Sequence, residues 1–257
     1  MTMTTTAKPR STFVRAVLAA ATLASCTGTT LDATVDRGPT ELDRPTAWYP
    51  LNDAARIGHD RAAGRGEALV AGVQIVSDPQ KGPVAEFDPV TGGSLTLLPP
   101  VSRDFTVAFW MKSTQQGPKQ AGWVMGPRLI DGDYPNLALD FGVSLSLDKL
   151  AFGVGNPSDV TLDQTAMISL HSVVDGTWHH VAVTRDGTTG QRQIFVDGAL
   201  DSEMPALPGD LKLPPTMLVG QRISTAPPSP VLKATLLDLR FYDRVLSAPA
   251  IAFLATP

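Results

Sequence analysis

From Pro45 onward, short apolar runs are separated by clusters of Gly, Pro, Asn and Asp, with little helical period. Two segments alternate cleanly. In residues 104–113, Phe105, Val107, Phe109 and Met111 fall on one side of an extended chain, and Thr106, Ala108, Trp110 and Lys112 on the other. In residues 236–243, Leu237, Leu239 and Phe241 share a face, opposite Leu236, Asp238, Arg240 and Tyr242. Further strands are predicted over Leu69–Val76, Val84–Phe87, Ser94–Leu98, Gly122–Ile130, Leu137–Leu147, Leu150–Val154, Met167–Val174, Trp178–Arg185, Gln193–Val196 and Met217–Gly220. These are too many for a small immunoglobulin sandwich, and they predict an all-β, two-sheet antiparallel β-sandwich of the jelly-roll type. Asp197-Gly198 predicts a tight hairpin turn. Pro99-Pro100, Pro214-Pro215 and the prolines of residues 227–230 mark loops, because proline cannot donate to a central ladder. Ser247 predicts the cap of a short C-terminal helix carrying Ile251 and Leu254.

The N-terminus follows another pattern. Residues 1–25 contain Lys8, Arg10 and Arg15 and no acid, and the stretch from Val17 to Ala24 is apolar except for Thr22. A basic segment followed by a short apolar one reads as a secretory signal. Leu23-Ala24-Ser25-Cys26 resembles the lipobox of bacterial lipoproteins. The resemblance implies a lipid-modified Cys26 that holds the chain on a membrane. Thr27 stands where an Asp often retains such proteins at the inner membrane, which leans toward the outer membrane or cell surface. The expected layout is a signal over 1–25, a Thr-, Asp-, Gly- and Pro-rich tether over 26–44, and one domain over 45–257.

Composition narrows the function classes. The 257 residues carry a formal charge of −4, and removing the signal takes away three positive charges and leaves −7. That balance excludes a nucleic-acid binder, which needs clustered Lys and Arg against phosphates. A single cysteine excludes an intrachain disulfide and a cysteine zinc site.

Gly176-Thr177-Trp178-His179-His180-Val181-Ala182-Val183-Thr184-Arg185-Asp186, followed by Ile194-Phe195-Val196-Asp197-Gly198, resembles the central hairpin of LamG-like, concanavalin A-like jelly-roll domains. Residues 105–112 resemble their earlier core strand, residues 237–247 their closing strand and helix, and Trp48-Tyr49-Pro50-Leu51 their opening strand. The resemblance covers about Ala47 to Leu254 and implies the fold. It leaves the function open, since the fold hosts lectins, adhesion modules and glycoside hydrolases. The Glu-x-Asp-x-x-Glu strand of laminarinase-type glycosidases does not occur here, so no enzyme is expected. Adjacent strand residues such as His179 and His180 point to opposite faces and do not jointly grip an ion. Asp238 beside Arg240 reads as an ion pair.

Two site expectations remain. Asp131, Asp133 and Asn136 form an acidic loop whose position resembles a calcium loop of pentraxins, although Arg222 stands where the second half of that site needs carboxylates. Asp238 is a second candidate calcium ligand, corresponding to a structural calcium site in some glycosidases of this fold. Sugar sites use aromatic faces. Trp48, Trp110 and Trp178 are assigned to the core, leaving Tyr134 and Trp123 as candidate ligand-binding residues. The combined expectation is a membrane-anchored, non-catalytic module binding carbohydrate or a surface protein. A divergent glycan-processing enzyme and a structural envelope lipoprotein are the alternatives.

Overall fold

The computed structural model describes residues 40–119, 122–133, 139–155, 166–223 and 230–256. The expected signal, most of the tether, Cys26, Tyr134 and Asn136 lie outside the described residues.

The strands are β1 (Ala47–Tyr49), β2 (Leu69–Ala71), β3 (Gln74–Asp78), β4 (Gly82–Phe87), β5 (Ser94–Leu97), β6 (Phe105–Lys112), β7 (Arg128–Gly132) and β8 (Phe141–Ser146). They continue as β9 (Lys149–Val154), β10 (Ala166–Ser172), β11 (His179–Arg185), β12 (Gln191–Val196), β13 (Ala199–Pro205), β14 (Met217–Val219) and β15 (Ala234–Tyr242). Among the described residues, two α-helices, α1 (Gly122–Met125) and α2 (Ala248–Leu254), and a 3-10 turn at Thr40–Leu42 complete the set. One sheet has the order β13-β12-β11-β6-β15-β4-β3, with β1 also on β15. The second has the order β10-β9-β8-β7-β14-β5-β2. All the pairings are antiparallel, as the alternation predicts.

The core lies between the inner faces. Phe105, Val107, Phe109 and Met111 of β6 are no more than 1% exposed and face Phe141, Val143 and Leu145 of β8 through one hydrophobic cluster. A second, smaller cluster sits on the outer face of the first sheet. There Ala250, Ile251 and Leu254 of α2 cover Ala108, Ala182, Phe195 and Tyr242. Ser247 caps α2 as expected, its hydroxyl accepting from the Ala250 amide.

Three predicted strands come out differently. Leu69–Val76 is split between the sheets, because the chain turns at Gly72 with φ +62°, where a Cβ would strike the Thr91 carbonyl. Gly122–Ile130 begins instead as the short helix α1. The face of β15 also changes partway along, which shapes the candidate site.

Candidate functional site

β15 has two partners on one edge. Ala234–Leu236 pair with β4, and Leu239–Phe241 pair with β1. The other edge pairs with β6, with a register break between Leu237 and Arg240. At the break Asp238 takes φ +57°, a left-handed conformation that short polar side chains tolerate better than most. Its amide donates to the Pro50 carbonyl at 3.0 Å. The bulge changes which side chains face inward. Leu236 is 1% exposed in the core, and Leu237 turns outward opposite Trp110. Strict alternation predicts the reverse for both leucines.

This junction floors a cleft of about 370 Å³ on the outer face of the first sheet, closed on one side by Phe253, Leu254 and Thr256 at the end of α2. Trp48 and Trp110 line it. Both, like Trp178, are half-buried on the outer face, so the expected core placement of these three tryptophans is corrected. Trp110 shares its face with Thr106, Ala108 and Lys112, as the period of two requires; a tryptophan on the polar side of an alternating strand is the signal that could have found this site.

Asp238 is held by its neighbours. Its Oδ1 accepts from Trp48 Nε1 at 2.6 Å and from Arg240 Nε at 3.0 Å, and Arg240 Nη2 reaches Oδ2 at 2.9 Å. The expected Asp238–Arg240 ion pair is therefore present. Asp238 is also, among the described residues, the one carboxylate lining the cleft. A glycosidase of either stereochemical type needs two flanking the bond.

Three cations rest on these two tryptophans. The guanidinium carbons of Arg61 and Arg240 each lie 4.4 Å from the Trp48 ring centre, and Lys81 Nζ lies 3.4 Å from that of Trp110. Arg61 and Lys81 are each carried by a turn built around a buried aspartate. Asp60, 2% exposed, accepts from the amides of Trp48, Ala62, Gly64 and Arg65 at 2.8–3.0 Å. Asp78, 8% exposed, accepts from the amides of Gln80 and Lys81, from Trp178 Nε1 at 3.0 Å and from Lys112 Nζ at 2.7 Å. Burial alone raises the Asp78 pKa. The hydrogen bonds from Lys112, Trp178 and the two amides outweigh it and hold the carboxylate well below its ordinary range.

Beneath the cleft, His180 is 2% exposed and meets Trp110 edge-on at 5.4 Å. Burial pushes its pKa down to about 4, against the raising pull of Asp238 and Asp197. His179 points away and pairs with Asp197 at 2.9 Å and Asp175 at 3.2 Å. Burial lowers its pKa, but these two carboxylates prevail and raise it overall.

Of the other expected site residues, Trp123, Asp131 and Asp133 are engaged within the fold. Trp123 is 2% exposed, with its ring against Gly142 and Gly153 where any Cβ would collide, so it offers no face to a sugar. Asp131, fully buried, accepts from the Ile223 amide at 2.6 Å and pairs with Arg128 Nε at 3.2 Å. Asp133 pairs with Arg128 at 3.1 Å and with Arg222 at 3.2 Å. Burial pushes the Asp131 carboxyl up and the Arg128 guanidinium down, each opposed by the other's charge. Two guanidinium groups thus stand against the carboxylates that the sequence offers to calcium. Asp238 lies in the separate cleft. Among the described residues, no group of three or more His, Cys, Asp or Glu is arranged to hold a metal.

A family model described as the Concanavalin A-like lectin/glucanases superfamily matches residues 87–252. Among curated proteins none matches the chain by sequence. Three solved structures are similar in fold. Domain 4 of AbnA, a GH43 extracellular arabinanase from Geobacillus stearothermophilus solved with arabinotriose, has a TM-score of 0.62 at 16% identity, covering 83% of this chain and 98% of that one. The binding domain of Paraclostridial Mosquitocidal Protein 1 has a TM-score of 0.63 at 14% identity, covering 83% and 52%. The binding domain of botulinum neurotoxin DC, solved with rat synaptotagmin II, has a TM-score of 0.62 at 15% identity, covering 83% and 51%. The chain spans about half the length of the two toxin domains, and at these identities the likeness is one of fold.

Proposed function

The chain belongs to the Concanavalin A-like lectin/glucanases superfamily, and on that premise we propose that it is a non-catalytic carbohydrate-binding module. The observation that carries this reading is the cleft at the β1–β15 junction. Two tryptophan rings stand half-buried on an outward sheet face, beside fixed polar groups and a single carboxylate. Such a surface suits the C–H face of a pyranose with hydroxyls bonded at its edge. The arabinotriose bound to the similar arabinanase domain is in keeping with it. The lipobox-like Leu23-Ala24-Ser25-Cys26 supports export and attachment to a membrane through Cys26, with the domain carried on the tether and facing away from the cytoplasm.

A glycan array probed with the purified protein tests the binding reading. Reproducible binding that Trp110→Ala abolishes, with no product released, supports it. Hydrolysed product overturns the non-catalytic assignment. For the anchor, Cys26→Ser is expected to lose detergent-phase partitioning; a variant that stays with membranes refutes attachment at this residue.

A further inference from the structure

Deepening the proposed function and resting on it, we infer that the cleft at Trp48 and Trp110 takes an acidic saccharide, its carboxylate received by Arg61 and Lys81.

The inference starts from charge. Among the described residues the cleft is lined by three cations, Arg61, Lys81 and Arg240, and one acid, Asp238. Asp238 is engaged by both Arg240 and the Trp48 indole. That leaves Arg61 and Lys81, and among the described residues neither has a carboxylate within ion-pairing distance, while the third cation of the cleft, Arg240, does. The nearest buried aspartates are turned the other way. Asp60 gives its oxygens to backbone amides of the turn that carries Arg61. Asp78 gives its own to the turn that carries Lys81 and to Lys112 and Trp178. Both turns are therefore rigid, and each presents a cation lacking an ion-pair partner to the same cleft.

Those cations also occupy the rings that a sugar needs. Lys81 Nζ sits 3.4 Å from the Trp110 ring centre and the Arg61 guanidinium 4.4 Å from that of Trp48, which also carries the Asp238-bound Arg240 guanidinium at 4.4 Å. A neutral sugar stacking there displaces a cation from a ring and offers it no charge in return. An acidic sugar stacks equally well and gives the displaced cation a charge-assisted hydrogen bond, which is stronger than the exposed cation–π contact it replaces. The cleft therefore discriminates by exchange: the tryptophan passes to the pyranose face, and the cation passes to the carboxylate. A neutral saccharide gains only the first half.

The test uses the full chain and matched pairs of oligosaccharides. Uronate- and sialate-bearing glycans are presented as the free acid and as the methyl ester, which keeps the ring and removes the charge. Anionic phosphatidylglycerol vesicles form a separate arm. The expected result is binding of free acids at least tenfold tighter than their esters. Lys81→Met and Arg61→Gln are each expected to weaken acid binding about tenfold, to leave ester binding no weaker than in the wild type because the ring is freed of its cation, and to keep the circular dichroism spectrum. Equal binding of acid and ester overturns the acidic preference and leaves the carbohydrate reading standing. No saccharide binding at all defeats both, and vesicle capture without saccharide binding reassigns the cations to a lipid surface.

Discussion

Trp48 donates its indole N–H to Asp238 Oδ1 at 2.6 Å, joining residues 190 positions apart in sequence at the point where β15 exchanges β4 for β1. The contact locks the ring that lines the cleft to the bulge that shapes it. Trp48→Phe keeps an aromatic ring and removes the donor, so it is expected to destabilise the fold by about 1.5–3 kcal/mol in urea unfolding, the usual range for a hydrogen bond to a charged group. Asp238→Asn is expected to cost a similar amount, since asparagine also tolerates φ +57°. Asp238→Leu should cost at least about 1 kcal/mol more, because a bulky side chain is strained there. Equal losses for Asn and Leu would show that the backbone is not constrained at this position.

The sandwich was legible because its strands alternate: the inward side of β6 is the set a period of two selects. The helix cap at Ser247 and the hairpin at Asp197-Gly198 are equally local. What the sequence hid is non-local. β15 reverses its facing at Asp238 because two strands meet on one edge, and no pattern within residues 234–242 records that meeting. The same bulge supplies a direct check. Leu236→Ala is expected to lose about 2–4 kcal/mol as a core truncation, and Leu237→Ala less than about 1 kcal/mol at the cleft. The opposite ranking would restore the simple alternation and remove the bulge from solution.

The cleft was only partly legible. Trp110 falls on the polar side of its strand and Asp238 beside Arg240, and both are visible in the sequence. Arg61 and Lys81 come from turns far from either strand, organised by Asp60 and Asp78 through backbone amides that composition does not reveal. The surroundings of the acidic loop were hidden for a related reason. Asp131 and Asp133 carry oxygens suited to a cation, but the cations that meet them are Arg128 and Arg222.

That buried network makes its own prediction. Arg128→Met leaves Asp131 fully buried without its guanidinium, and is expected to cost about 3–5 kcal/mol, the range for breaking a buried pair from one side. With Arg128 and Arg222 in place, the wild-type melting temperature is expected to be the same in millimolar calcium and in EDTA. A rise of several degrees in calcium would mean that metal competes successfully with the two guanidinium groups and would return this loop to the list of ion sites.

His180 gives the fold a pH dependence whose sign follows from its burial. Its ring is 2% exposed under Trp110, facing Asp238, Asp197, Arg240 and Lys81, and desolvation depresses its pKa from 6.5 to about 4. Above pH 6.5 the ring is neutral in both the folded and unfolded chains and has no effect on stability. As the pH falls through 6.5 the unfolded chain takes up a proton that the folded chain refuses, and stability declines until the folded ring protonates near pH 4. The loss across this window is about 3 kcal/mol. One raised carboxyl, Asp131, acts from pH 3.8 upward with the opposite sign and is common to the wild type and the His180 variant, so it cancels in their comparison. The remaining shifted groups act outside the window. His179 has a raised pKa, so its stabilisation is fully present below pH 6.5 and disappears only as the pH rises through its folded value. The depressed aspartates Asp78, Asp175, Asp186 and Asp201 lose their contributions below about pH 3.8, their ordinary value. Urea unfolding of the wild type and of His180→Phe, compared at steps from pH 7 to pH 4, isolates the histidine. The wild-type curve is expected to fall relative to the variant across that range. Parallel curves would show that water or a carboxylate reaches the ring, and that the floor of the cleft is open.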